Sequence, residues 1–203
     1  MSKKKLDKEK LEYRQIDLTP TQTQKEGCFV SGQAIVFNSP TVLYTDRFGQ
    51  EYREIIAPGA LEGCDLSDVP LKYNHDQEKA KILARVRNKT LSLDLRETGL
   101  YFDAELRTNL GKDVYSAIEA GDIGKCSFAF ICDDEEYDEA TCTRTIKHIS
   151  YLGDISIVDS PAYDQTFVEV RALDFFKEQE ERKVKAFEAE ERQRLFLLTM
   201  IDY

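Results

Sequence analysis

Three residues of this chain have the chemistry to work as a set: Ser127, His75 and Asp154. A serine hydroxyl is a weak nucleophile until a base takes its proton, and an imidazole suits that task near neutral pH. A carboxylate can then hold the imidazolium that forms. Attack of a serine on a carbonyl is the chemistry such a set would carry. The chain holds only two histidines, which narrows the choice of base. His75 stands between Asn74 and Asp76, polar neighbours able to hold a ring tautomer. His148 lies within Arg144–Ile149, RTIKHI, where a structural or solvent-facing ring is the plainer expectation. Asp154 opens the apolar run Asp154–Val158, and a carboxylate there needs a partner, because burying it unpaired is costly. Each residue also has a bland reading: a tolerated small side chain, a structural histidine, and an edge charge that discourages aggregation. The G-x-S-x-G elbow of esterases and lipases is missing around Ser127.

The elements that must position these groups are mostly strands. Gly121 follows Val114–Ala120 as a left-handed helix cap would, and the chain then turns into a strand from Cys126 to about Cys132. Alternation puts Phe128 and Phe130 on one face and Ser127 and Ala129 on the other, with open space expected above the serine oxygen. His75 comes at the end of a short strand, Val69–Tyr73, which Pro70 confines to an edge or a strand start. In the same strict alternation Asp154 shares a face with Ser156 and Val158.

Further strands are expected over Phe29–Phe37 and Lys81–Val86. Hairpins are expected from Val42–Tyr44 with Tyr52–Ile56, and from Leu91–Leu95 with Leu100–Leu106. Cys142–Tyr151 and Gly153–Val158 read as two strands, Asp133–Glu139 as a solvated acidic loop, and Val168–Arg171 as one short strand more. Only Gly111–Ala120 and the tail read as helical. Many short strands with few helices predict a mostly β fold with flanking helices, a closed or nearly closed antiparallel β-barrel. Residues 1–25 read as a polar arm, 26–172 as the barrel domain and 173–203 as a helical tail. In that tail Leu173, Phe176, Val184, Phe187, Leu195 and Leu198 follow a broken three/four repeat. The tail is expected either to pack on the domain or to dock a partner.

Composition excludes several classes. Net charge is −10 and the body is acidic, which argues against a nucleic-acid surface. No apolar run is long enough to span a membrane, and the charged start lacks the apolar core of a secretory signal, so the chain is expected in the cytoplasm. Five cysteines without a C-x-x-C read as reduced thiols. Cys126, Cys132, Cys142 and His148 match no standard zinc spacing, and no metal or cofactor is expected.

Seven blocks in order carry a family resemblance: Gly32–Asn38 (GQAIVFN), Arg53–Leu61 (REIIAPGAL), Leu71–Asp76 (LKYNHD), Asn88–Leu93 (NKTLSL), Gly99–Phe102 (GLYF), Gly121–Phe130 (GDIGKCSFAF) and Gly153–Tyr163 (GDISIVDSPAY). Over roughly residues 28–170 the chain resembles the HK97-type prohead, or capsid maturation, proteases of tailed bacteriophages, related in fold to herpesvirus assemblins. By position the resemblance implies His75 as base and Ser127 as nucleophile, with backbone N–H groups stabilising the oxyanion. It implies Asp154 as the third member, where the family often has Glu. A Ser-His-His scheme, as in the herpesvirus relatives, would make His148 the rival. Ala84 stands where the family often has Gly, which leaves Arg85 without an assigned role. The implied protein is a serine endopeptidase inside the immature capsid, in the host cytoplasm. It would trim scaffold or major capsid protein and then itself, and would be a homo-oligomer. The competing reading is a non-catalytic assembly or scaffolding factor that uses the same domain and the helical tail for docking.

Overall fold

The computed structural model describes residues 11–17, 27–76, 81–159 and 170–201, with side chains in the last segment described over 175–194. Ten strands and two α-helices follow in order. They are β1 (Glu12–Asp17), β2 (Phe29–Val36), β3 (Thr41–Thr45), β4 (Glu51–Ile56), β5 (Pro70–Tyr73), β6 (Ile82–Arg85), β7 (Leu91–Arg96), β8 (Gly99–Glu105), α1 (Asn109–Ala120), β9 (Lys125–Asp138), β10 (Thr143–Val158) and α2 (Val170–Ile201).

The strands form two sheets. The larger runs β1-β9-β10-β4-β3, with β5 pairing β10 and β6 pairing β5; the smaller runs β2-β8-β7. Among the described residues the strands do not close into a barrel, so the expected barrel gives way to a mixed β and α fold of two sheets. Nor is the pairing all antiparallel, since β4 and β5 both lie parallel to β10. The reason is the length of β10. Its sixteen residues pair β9 from Thr143 to Val158 along one edge, and the other edge takes β4 beside its first part and β5 beside its last. The hairpin of β7 and β8 instead takes β2 and buries Leu91, Leu100, Phe102 and Ala104. Those side chains join Phe128, Phe130, Ile155 and Ile157 in one core, as hydrophobic burial dictates for two sheets with one apolar face each.

Three local expectations are corrected. Asp133–Asp138 is not a loop but the outer part of β9, paired with the start of β10. Ion pairs cross that ribbon from Arg144 to Glu135, Lys147 to Glu136 and His148 to Asp133, so cations on one strand make the acidic run a workable strand. The two strands expected on either side of Leu152 are one bulged strand. Glu12–Asp17, expected in a loose arm, is edge strand β1. Residues 1–10 and 18–25 of that arm lie outside the described residues. So do Ser160 to Tyr163 and the first half of the strand expected at Val168–Arg171; Val170 and Arg171 open α2 instead.

Helix α1 ends as its sequence requires. Thr108 caps its start by accepting from the Gly111 N–H, and Gly121 stops it at φ 83°, donating to Ala117 and Ile118. This stop delivers the chain into β9. Helix α2 docks on the body from Phe175 to Lys183, whose Nζ donates to Cys142 Sγ at 3.0 Å. Phe176, fully buried, packs on Tyr52 and Cys142, and Phe175 meets Tyr137 edge-on.

Candidate functional site

Strands β9 and β10 and the turn after β5 bring Ser127, Asp154 and His75 to a single point. Ser127 in β9 pairs with Ser156 in β10, and Ala129 pairs with Asp154, so serine and carboxylate stand one strand and two residues apart. A register shift between Leu152 and Asp154 falls at Gly153 and re-aims the carboxylate. A Cβ at Gly153 would lie 3.3 Å from the Ala129 carbonyl oxygen and 3.2 Å from the Tyr151 ring, so a side chain there would crowd the bulge. Strand β5 lies on the far edge of β10, with Lys72 opposite Ser156.

Immediately after β5 the backbone turns sharply. Asn74 and His75 both adopt left-handed φ, at 53° and 52°. Two such residues in succession cost about 1–3 kcal/mol each, a strain tolerated where other contacts fix the turn. The Asn74 N–H donates to the Ile157 carbonyl at 3.0 Å, and the His75 N–H donates to Ser156 Oγ at 3.1 Å. The turn swings the imidazole back over the sheet.

There the ring joins Ser127 to Asp154. His75 Nε2 lies 2.6 Å from Ser127 Oγ, and His75 Nδ1 lies 2.5 Å from Asp154 Oδ1. Ser156 Oγ donates to the same Asp154 oxygen at 2.9 Å, while Lys72 Nζ donates to Oδ2 at 2.8 Å. Burial works against ionising Asp154, but His75 and Lys72 together outweigh it and hold its pKa below the ordinary carboxylate value. An ionised Asp154 fixes the Nδ1–H tautomer, which leaves Nε2 free to accept from the serine. The edge of Tyr13, from β1, meets the His75 ring at 4.7 Å between centroids.

The other candidates are elsewhere. His148 binds Asp133 through Nδ1 at 2.5 Å and the Glu62 carbonyl through Nε2 at 3.0 Å, a half-exposed structural ring. Asp154, not His148, is the group against His75. Cys126 packs in the apolar core beside Ser127, and burial pushes its thiol up to about 12, which makes it inert near neutral pH. All five cysteines are free, and no cluster of three or more His, Cys, Asp or Glu suited to a metal occurs among the described residues. Arg85 holds Asp68 through two hydrogen bonds.

One expectation about the serine fails: no open space lies above it. Ser127 has 0% exposure. The residues that sequence reasoning missed are Lys72, Ser156 and Tyr13. A lysine in the otherwise apolar Pro70–Tyr73, and a serine two residues from a buried aspartate, were the available signals; for Tyr13, inside a polar stretch, there was none.

Among the described residues no helix is long and apolar enough to cross a membrane. No curated protein matches the chain significantly. Among solved structures it is similar to the bacteriophage T4 capsid assembly protease, gp21, at 13% identity and a TM-score of 0.44, over 74% of this chain and 96% of that one. The model of the family described as Caudovirus prohead serine protease matches residues 10–181, most of the chain, and the chain belongs to that family.

Proposed function

We propose that this chain is a serine endopeptidase in which Ser127 is the nucleophile, His75 the general base and acid, and Asp154 the group that orients and charges against the ring. The observation that carries the reading is the unbroken line from Ser127 Oγ to His75 Nε2 at 2.6 Å and from His75 Nδ1 to Asp154 Oδ1 at 2.5 Å. Ser127 Oγ attacks the scissile carbonyl carbon as Nε2 takes its proton. The imidazolium, held by Asp154, then returns that proton to the leaving amine, and an acyl-enzyme remains. Water enters, gives a proton to Nε2 and attacks the ester carbonyl; as the acyl–Oγ bond breaks, the imidazolium returns that proton to Ser127 Oγ and the acid product leaves. Because Ser127 has no exposed surface, a peptide reaches it only after its surroundings rearrange, a step before the chemistry.

The substrate is capsid or scaffold protein inside the prohead, in the host cytoplasm, and the chain also trims itself. Membership of the prohead serine protease family supports this choice. Co-expression with the capsid and scaffold genes of the same phage tests it. The wild type should give shortened capsid or scaffold bands and Ser127→Ala none, while a fluorophosphonate should label the wild type only at Ser127. Full-length substrate with an unlabelled Ser127 would instead establish the non-catalytic assembly factor.

A further inference from the structure

Residues 184–191 of α2 repeat residues 173–180, but apart from half-buried Val184 they are exposed. Leu173, Phe176 and Glu180 recur eleven residues later as Val184, Phe187 and Glu191. An eleven-residue period keeps such a stripe on one side of a helix. In the first unit the stripe is docked. Phe176 is fully buried, and Glu180 accepts from the Tyr44 hydroxyl at 2.9 Å and faces Arg47 at 3.6 Å. In the second unit Phe187 is 62% exposed.

The charges around Phe187 say what covers it. The sequence is self-complementary in charge about the point between Ala186 and Phe187. Reading outward, Lys185 is opposite Glu188, Lys183 opposite Glu190, Arg182 opposite Glu191, and Glu181 opposite Arg192. In sequence order every charge from 181 to 192 falls opposite its counter-charge when the segment is laid antiparallel on itself, although helical spacing turns Arg182 away from the Phe187 stripe and Lys183 donates to Cys142 Sγ of its own chain at 3.0 Å. Helical spacing puts Glu181, Lys185, Glu188 and Arg192 along one flank, and the ion pairs Lys185–Glu181 and Arg192–Glu188 lie on it. Antiparallel helices bring like flanks together, so this row would meet its own copy with every sign matched. The same flank borders a groove of about 450 Å³ between α2 and the β3–β4 hairpin, lined by Tyr44, Arg47, Glu181, Val184, Lys185 and Glu188. Phe48, next in sequence to Arg47, is 74% exposed, with the Arg47 guanidinium 4.9 Å from its ring.

We infer that residues 181–192 of α2 pair with the same segment of a second copy, antiparallel about the Ala186–Phe187 point, to make a two-fold dimer. Such a pair is isologous, with each contact made twice. It buries Phe187 and Val184 of both chains and leaves the first unit of each helix on its own body. The interaction is independent of the chemistry proposed above.

The test uses the full chain in a Ser127→Ala background, so that the tail stays attached whatever self-processing occurs. Sedimentation equilibrium should give twice the 23.4 kDa chain mass at high concentration and the chain mass on dilution. Lys185→Glu sets like charges opposite twice and should weaken the dimer about tenfold or more. Adding Glu188→Lys to it should restore the dimer. That double variant also turns both intrahelical pairs repulsive, so recovery can come only from contacts between chains. Phe187→Asp should leave the fold intact by circular dichroism and abolish the dimer. A chain that is monomeric at every concentration, or a dimer indifferent to Lys185→Glu and Phe187→Asp, overturns the inference.

Discussion

Replacing Ser127 with Ala, or His75 with Ala, removes one of the two groups between which the proton moves, and peptide cleavage should fall by about 10⁵-fold or more. Asp154→Asn keeps the shape and loses the charge, so the drop should be smaller, about 10²–10⁴-fold. Full activity of that variant would return the third role to His148. Lys72 supports the same carboxylate from the other side. Lys72→Met takes from the buried Asp154 the cation that donates to Oδ2, so unfolding stability should drop by about 1–3 kcal/mol and cleavage should slow with it. Lys72→Arg should recover most of both; a Met variant as stable and as fast as wild type would show the ion pair to be idle. At this scale much was legible. A histidine at a strand end, an aspartate entering an apolar strand and a serine beside alanine are local signals. What was not legible is distance, because His75 and Asp154 are separated by 79 positions and meet only through the parallel pairing of β5 with β10. Nor was the closure over Ser127, since strand alternation says which face a side chain takes and nothing about what lies over it.

Among the elements, β1 carries more than its polar sequence suggests. Alternation sends Tyr13 to the His75 ring and Glu12 and Arg14 to the opposite face, where they are buried. There Arg14 holds Glu54 through two hydrogen bonds at 2.5 and 2.6 Å, and Arg144 holds Glu12 at 2.7 and 2.9 Å and Glu54 at 2.9 Å. Burial disfavours the Arg14 cation, but Glu54 and Glu12 outweigh that and raise its pKa. Two arginines against two buried glutamates balance. Arg14→Met breaks the balance and strands a carboxylate, so it should destabilise the fold by about 3–5 kcal/mol, read as a lower urea midpoint. It should also loosen Tyr13 and slow cleavage. Arg14→Met combined with Glu54→Leu removes one charge of each sign and should recover much of the stability; a single variant no weaker than the double would show the cluster to be ornamental. Element types were readable wherever the period was clean, as in β7, β8 and α1. The acidic end of β9 and the whole of β1 were not, because their stability comes from opposite charges on other strands that no local window contains.

For the whole molecule, the barrel expectation failed for a related reason: most strands were readable, whereas which edges close depends on β10 taking β4 and β5 in succession along one edge. The same clustering of buried charge sets how the molecule answers acid. Burial pushes Glu12 and Asp154 toward the neutral form, yet hydrogen bonds and opposite charges, from Arg144 and Arg14 for Glu12 and from His75 and Lys72 for Asp154, win in both cases and lower the two pKa values. A folded pKa below the unfolded one means that the folded state gives up less readily to protons, so both groups contribute stability in full above their ordinary values of 4.5 and 3.8. That contribution fades as pH drops through the lower folded values, where the folded state must take up the protons. The urea midpoint should therefore stay level from about pH 8 to 5 and descend steeply below about pH 4. Glu12→Gln separates the two carboxylates: it should lower the midpoint at pH 7, leaving Arg14 and Arg144 short of a counter-charge, and flatten the acid descent, since one of the two protonation events is gone. A Glu12→Gln profile parallel to wild type down to pH 3 would mean that the buried cluster does not govern acid unfolding, and that the descent belongs to the exposed carboxylates of an acidic chain.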